Sequence, residues 1–178
     1  GDPLKVVLTA NATESLNMVI QGVLEPGDHC ITSEFEHNSV LRPLHHMEER
    51  GVHVEKIEAK DHGVLEWETL EQRIRPETKM VVVCHGSNVT GNVVDLRPIG
   101  ELCRKHGLLF VVDAAQTAGL LAIDFQELKI DALCLSGHKG LLGPQGIGIL
   151  CLSSRIRVKP LKWGGTGTQS FSCDMPEN

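Results

Sequence analysis

The sequence predicts an α/β fold of three layers: a mostly parallel seven-stranded sheet between two layers of helices. Three observations predict it. Short β-type runs alternate along the chain with stretches whose apolar residues recur at helical spacing. The β-type runs are apolar without interruption, as in Met80-Val-Val-Val-Cys84 and Leu108-Leu-Phe-Val-Val112, which suits strands covered on both faces rather than one. Polar clusters follow directly on several of these runs, where an open parallel sheet presents its ligand-binding edge.

Each element has a local reason. Residues 5–9 read as a strand. Residues 13–24 read as a helix, with Leu16, Val19, Ile20 and Val23 on one face and Pro26-Gly27-Asp28 as its break. Residues 29–32 form a short strand, and 39–49 a helix stopped by Gly51. Residues 52–57 alternate as a strand, and 67–74 read as a helix ended by Pro76. Residues 79–85 are a β-branched strand, and 96–106 a helix closed by Gly107. Strands are predicted at 108–112, which runs into Asp113, at 131–135, which runs into Ser136, and at 146–152 after a Gly- and Pro-containing loop. Residues 161–178 lose the pattern and read as a linker that needs something to pack on.

Composition bounds the function. The 178 residues suffice for one well-cored domain, and a net charge of −6 removes the basic footprint of a nucleic-acid binder. The longest apolar run, Gly107 to Val112, is too short to span a bilayer. The opening Gly1-Asp2-Pro3 carries no charged region or cleavage pattern, so no secretory leader is expected. None of the six cysteines pairs as C-x-x-C. Cys84, Cys134 and Cys151 sit in apolar runs and read as buried hydrophobes of a reducing cytoplasm, whereas Cys173 lies in a polar tail and reads as an exposed thiol. The nine histidines show no metal-ligand spacing.

Four strand-end groups can carry chemistry. In Thr9-Ala-Asn-Ala-Thr13 a Thr at a helix start either caps the helix or offers its hydroxyl to a phosphate. In His85-Gly-Ser-Asn88-Val-Thr-Gly91, Asn88 is either a turn residue or a ligand contact. In Asp113-Ala-Ala-Gln116 the carboxylate either caps the next turn or faces a cationic partner, with Gln116 one turn on. In Ser136-Gly-His138-Lys139-Gly140, Lys139 is either a solvated loop residue or an amine delivered into a crevice. Asp113 and Lys139 are about one βαβ crossover apart, so both can face one crevice. A crevice with an acid, an amine, hydroxyls and a helix N-terminus suits pyridoxal phosphate. Residues 9–13 lack the G-x-G-x-x-G of a nicotinamide-binding domain, and Gly137-His-Lys139-Gly140 is not a P-loop.

With these motifs in order, the sequence resembles the class V aminotransferase group of pyridoxal-phosphate enzymes, and within it the cysteine desulfurases and selenocysteine lyases. Ala12-Thr13-Glu14-Ser15-Leu16-Asn17 resembles the phosphate-cup motif, and Glu36-His37-Asn38-Ser39 the Glu-His segment. The other three polar groups match in turn, and Gly143-Pro-Gln-Gly-Ile-Gly148 resembles the loop into an antiparallel strand. The resemblance implies the large domain of fold type I, with one antiparallel strand. It implies residues 1–160 as the cofactor-binding domain and 161–178 as the link to a C-terminal domain not represented in the sequence. Thr13, Ser136 and His138 are implied on the phosphate, Asn88 in the cofactor and substrate region, Asp113 on the pyridine nitrogen and Gln116 on the phenolic oxygen. Lys139 is implied as the Schiff-base lysine and α-proton carrier, and His37 as the ring-stacking residue that moves a proton.

The implied reaction removes sulfur from L-cysteine to give alanine and a cysteine persulfide on the enzyme. The persulfide cysteine and the carboxylate-binding arginine have no counterpart among these residues. A homodimer, a sulfur-acceptor protein and weak or no activity for the isolated chain are further expectations. Transamination, elimination or epimerisation of another small amino acid, and a catalytically silent partner-binding domain, are the alternatives.

Overall fold

The computed structural model describes residues 5–58 and 67–165. The local chemistry of the sequence accounts for its elements. After β1 (Val6–Thr9), helix α1 (Ala12–Val23) is capped by Asn11, whose Oδ1 accepts the Glu14 amide at 2.9 Å. Its face of Leu16, Val19, Ile20 and Val23 is buried as the spacing predicts. Strand β2 (His29–Ser33) leads to α2 (Asn38–Glu48), capped by His37. Then come β3 (His53–Ile57), α3 (Trp67–Gln72) and β4 (Thr78–Cys84). Helix α4 (Leu96–His106) starts on an Asp95 cap. It tolerates Pro98 because an amide in the first turn has no intrahelical acceptor. It ends on Gly107 in the left-handed region (φ 72°), with the Leu108 amide closing on the Cys103 carbonyl at 2.8 Å. Strands β5 (Leu109–Asp113), β6 (Ala132–Ser136) and β7 (Gly148–Leu152) complete the described elements.

The seven strands form one sheet in the order β1-β7-β6-β5-β4-β2-β3. β7 runs antiparallel to β1 and β6, and the remaining neighbours pair in parallel. The uninterrupted apolar strands are explained by the two cores. Met80 and Val82 of β4 pack with α1 and α2 on one face, while Val81 and Val83 pack with α3 and α4 on the other. This is the three-layer arrangement the sequence predicts.

Several predicted boundaries move by a residue or two. β5 and β6 extend to include Asp113 and Ser136, because both continue the ladder: Asp113 pairs with Cys84 and Cys134, and Ser136 with Gly148. β4 starts and stops one residue early, β7 starts at Gly148 rather than 146, and α3 ends at Gln72, followed by tight turns at Arg73 and Ile74. The segment after β7 finds its packing partner on α1. The Lys159 amide bonds the Gly22 carbonyl at 2.8 Å, and Lys162 reaches Glu14 at 3.0 Å. Cys30, Cys84, Cys103 and Cys134 are buried free thiols, Cys151 is only partly covered, and Cys173 lies outside the described residues.

The sheet edge opposite the strand-end clusters is fixed by one buried ion pair. Asp131 is fully buried and accepts from the Phe110 amide (3.0 Å), Ser153 Oγ (2.7 Å) and Arg155 (2.9 Å), while Arg155 also reaches the Leu108 carbonyl at 3.3 Å. Arg155→Ala is expected to strand this carboxylate and to cost roughly 3 kcal/mol of stability, the low end for a buried pair broken on one side. Urea unfolding checks it: a loss below about 0.5 kcal/mol, the scale of an ordinary surface substitution, would contradict the account.

Candidate active site

The strand ends deliver their polar residues to one place. Thr13, His37, Asn88, Asp113, Gln116, Ser136, His138 and Lys139 all line a single cavity of about 210 Å³. It lies over the carboxyl ends of β4, β5 and β6 and beside the start of α1. All eight residues singled out in the sequence are therefore brought together.

Thr13 is not the helix cap, because Asn11 takes that role. Its hydroxyl instead meets Ser39 Oγ at 2.7 Å. Ser39 Oγ also lies 2.8 Å from His37 Nδ1, which accepts the Ser39 amide at 3.1 Å. That amide bond makes Nδ1 an acceptor, so a neutral His37 ring carries its proton on Nε2. Ser39 thus couples the cup hydroxyl to the imidazole, and it lines the cavity itself. The sequence reading passed over Ser39, although its position two residues after a capping histidine is the pattern of a local side chain to backbone bond.

The loop that brings Thr13 to the cavity depends on a glycine in another strand. Gly148 faces Thr9 across the β1–β7 ladder, and a Cβ there would sit 2.4 Å from the Asn11 backbone carbon and 2.5 Å from Thr9 Oγ1. Only glycine lets this loop lie so close over the start of β7.

Asp113 forms the floor. It is 3% exposed, and its Oδ1 accepts the Ala115 amide at 2.9 Å. The carboxylate caps the next turn, as one reading of the sequence expects, and it also lines the cavity. Burial pushes its pKa above the usual carboxylate range, opposed by the Ala115 amide and by the charges of His37 and Lys139. At the end of β6, Ser136 Oγ lies 3.3 Å from His138 Nδ1, and Lys139 is half-buried. Asn88 sits at the exposed rim, on a turn held by the Val89 and Thr90 amides, both 3.2 Å from Ser87 Oγ. Cys84, not singled out in the sequence for chemistry, also lines the cavity. Its thiol meets the Gly86 carbonyl at 3.1 Å and is pushed up to about 12 by burial and by Asp113.

The donor set fits pyridoxal phosphate. A buried carboxylate that lines the cavity suits a protonated ring nitrogen. A half-buried lysine suits an aldehyde. Two hydroxyls, an imidazole and the amino end of α1 suit a phosphate. Fold and cavity together define the cofactor-binding unit of a fold type I pyridoxal-phosphate enzyme.

The comparisons with known proteins narrow this class. The model of the aminotransferase class-V family matches residues 2–176. The chain is 41% identical over 177 aligned positions to the cysteine desulfurase IscS of Vibrio cholerae, covering 96% of this chain and 44% of that protein. Among solved structures it superposes on the apo cysteine desulfurase of Thermococcus onnurineus NA1 with a TM-score of 0.80 and 38% identity, over 84% of this chain and 38% of the other. It superposes on SspA in complex with cysteine with a TM-score of 0.84 and 35% identity, over 92% of this chain and 48% of the other. The chain belongs to the aminotransferase class-V family, a family of pyridoxal-phosphate enzymes. It spans less than half the length of the relatives it matches.

Proposed function

We propose that this chain is the cofactor-binding part of a cysteine desulfurase, which takes sulfur from L-cysteine and leaves alanine. The observation that carries the reading is the convergence of Lys139, Asp113 and the hydroxyl cup on one cavity, in a chain so similar to IscS. The cysteine-bound relative supports the substrate.

Pyridoxal phosphate, when bound, supplies an aldehyde for the substrate amino group and a ring that takes up the electron pair freed at Cα. Lys139 is the residue whose Nζ would hold the aldehyde, and the same amine, when free, would be the base that takes the substrate α-proton and the acid that gives it back. Asp113 would keep a proton on the ring nitrogen. His37 would hold the ring and would carry a proton at Nε2. Thr13, Ser136 and His138 would hold the phosphate near the start of α1, Gln116 would bond the phenolic oxygen, and Asn88 would contact cofactor and substrate from the rim. Residues 1–160 are the binding unit and 161–178 a link.

The sulfur-accepting thiol is placed on none of the described cysteines. Burial pushes those of Cys84 and Cys103 up to about 12, where thiolate is scarce. A homodimer, a separate sulfur-acceptor protein and a cytoplasmic setting complete the proposal. The setting is consistent with free cysteines, and among the described residues no helix is long and apolar enough to cross a membrane.

The test supplies the chain with pyridoxal phosphate, L-cysteine and a dithiol, whose thiolate takes the sulfur as a persulfide and whose second thiol releases it as sulfide on closing to the disulfide, and measures sulfide and alanine. Turnover by the isolated chain is expected to be weak, so the product ratio decides. Equal amounts of sulfide and alanine, dependent on the cofactor, are expected. Amino transfer to an oxo-acid without sulfide would replace desulfuration by another reaction of the family.

A further inference from the structure

Glu36 has no part in the chemistry above, yet it is 6% exposed and lies directly before His37. Its Oε1 accepts from Ser33 Oγ at 2.5 Å and from the Cys84 amide at 3.0 Å. Among the described residues its Oε2 has no hydrogen-bond partner. Cys84 is paired with Asp113 across the β4–β5 ladder, and the next amide, of His85, bonds the Asp113 carbonyl at 2.9 Å. We propose that Glu36 is a positioning residue, tying the turn that carries His37 to the end of β4 and so fixing the imidazole relative to the Asp113 carboxylate. The inference rests on the cofactor reading of the cavity.

The bridge works as a neutral acid. A carboxylate here would leave a charged oxygen buried without a donor and would place a second negative charge near Asp113. The titratable groups around it are Cys30 on β2, Cys84 on β4, Asp113 on β5, the adjacent His37 and, beyond Cys84 and Asp113, Lys139; the two cations act on Asp113, and Asp113 is the charge that acts on Glu36. Burial and Asp113 raise the Glu36 carboxyl to about 8, against the opposing bonds from Ser33 and Cys84. With Oε1 accepting twice, the proton sits on Oε2. A neutral Glu36 then places no second anion behind the Asp113 carboxyl, which would face a single ring nitrogen. Because the folded carboxyl holds its proton to higher pH than the unfolded one, its effect on stability is unfavourable as pH rises from the ordinary Glu value of 4.5 toward 8.

Two measurements on the 178-residue chain test this. The first follows the Cys84 amide by NMR against pH without cofactor. An inflection near pH 8 is expected in the wild type and none in Glu36→Gln; an inflection in the ordinary carboxylate range would overturn the proposal. The second titrates pyridoxal phosphate from pH 6 to 9. At pH 7, Glu36→Gln should keep affinity within about twofold of wild type, and Glu36→Ala should lose about tenfold, or ~1.4 kcal/mol. Wild-type affinity should fall relative to Glu36→Gln as pH passes 8. Wild-type affinity in Glu36→Ala, or loss of affinity in both variants, would overturn the positioning role. A wild type that binds no cofactor at any pH, while its Cys84 amide inflects near 8, would overturn the cofactor reading and leave the neutral bridge standing.

Discussion

Lys139→Ala is expected to abolish specific capture of pyridoxal phosphate, lowering affinity about a hundredfold, or ~2.7 kcal/mol. Cofactor-dependent exchange of the substrate α-proton should fall by roughly three orders of magnitude, because in the proposed function one amine serves both as the aldehyde's partner and as the base. The geometry gives the reason. Lys139 follows the end of β6 and is half-buried in the same cavity as Asp113, and the Leu142 amide closes a turn on its carbonyl at 2.9 Å. Lys139→Arg separates charge from chemistry, since it keeps the cation but offers no nucleophilic amine. It should behave like Lys139→Ala in α-proton exchange while retaining more of the electrostatic attraction for phosphate. Proton exchange in heavy water, followed by NMR, reads the difference. Exchange by Lys139→Ala within tenfold of wild type would assign the base elsewhere.

Asp113→Asn is expected to act in opposite directions on function and on stability. Burial raises the pKa of this carboxyl above its ordinary value of 3.8, so the folded chain binds its proton more tightly than the unfolded chain. Its effect on the cofactor-free fold is therefore increasingly unfavourable as pH rises above 3.8. Asparagine keeps the shape and an oxygen for the Ala115 amide while removing the charge, so the cofactor-free variant should be at least as stable as wild type near neutral pH. Loaded with cofactor, the same variant would lack the carboxylate proposed to keep the ring nitrogen protonated. Affinity should fall about tenfold, or ~1.4 kcal/mol, and α-proton exchange roughly a hundredfold, or ~2.7 kcal/mol of barrier. Thermal unfolding without cofactor and exchange with it check the two halves. A variant that loses stability yet keeps exchange would make Asp113 a structural cap and no more.

Much of this was legible in the sequence because the fold and the site share one signal. Uninterrupted runs such as Met80–Cys84 must be buried on both faces, which forces helices onto both sides and parallel order on most strands. Parallel strands present their ends at one edge, so Asn88, Asp113, Ser136 and Lys139 could be placed near one another by counting from strand ends. What lay hidden depends on side-chain direction. Nothing local distinguishes Asn11 from Thr13 as the helix cap, since both residue types cap helices. The sequence places Glu36 only within a Glu-His segment, and its burial becomes visible only with the Cys84 amide that meets it across 48 positions of chain. Ser39 gains its role from Thr13, 26 positions away. The one-residue shifts at β5 and β6 have the same origin, because a polar residue looks like the end of a strand even when its backbone continues the ladder.

Lys139 as the cofactor's point of attachment is tested most directly by trapping. The chain is incubated with substoichiometric pyridoxal phosphate at neutral pH, reduced with borohydride, digested and mapped by mass spectrometry. The cofactor mass is expected on the peptide bearing Lys139, with the other lysines unmodified. Label spread over surface lysines such as Lys105 and Lys162, with Lys139 unmodified, would contradict the assignment.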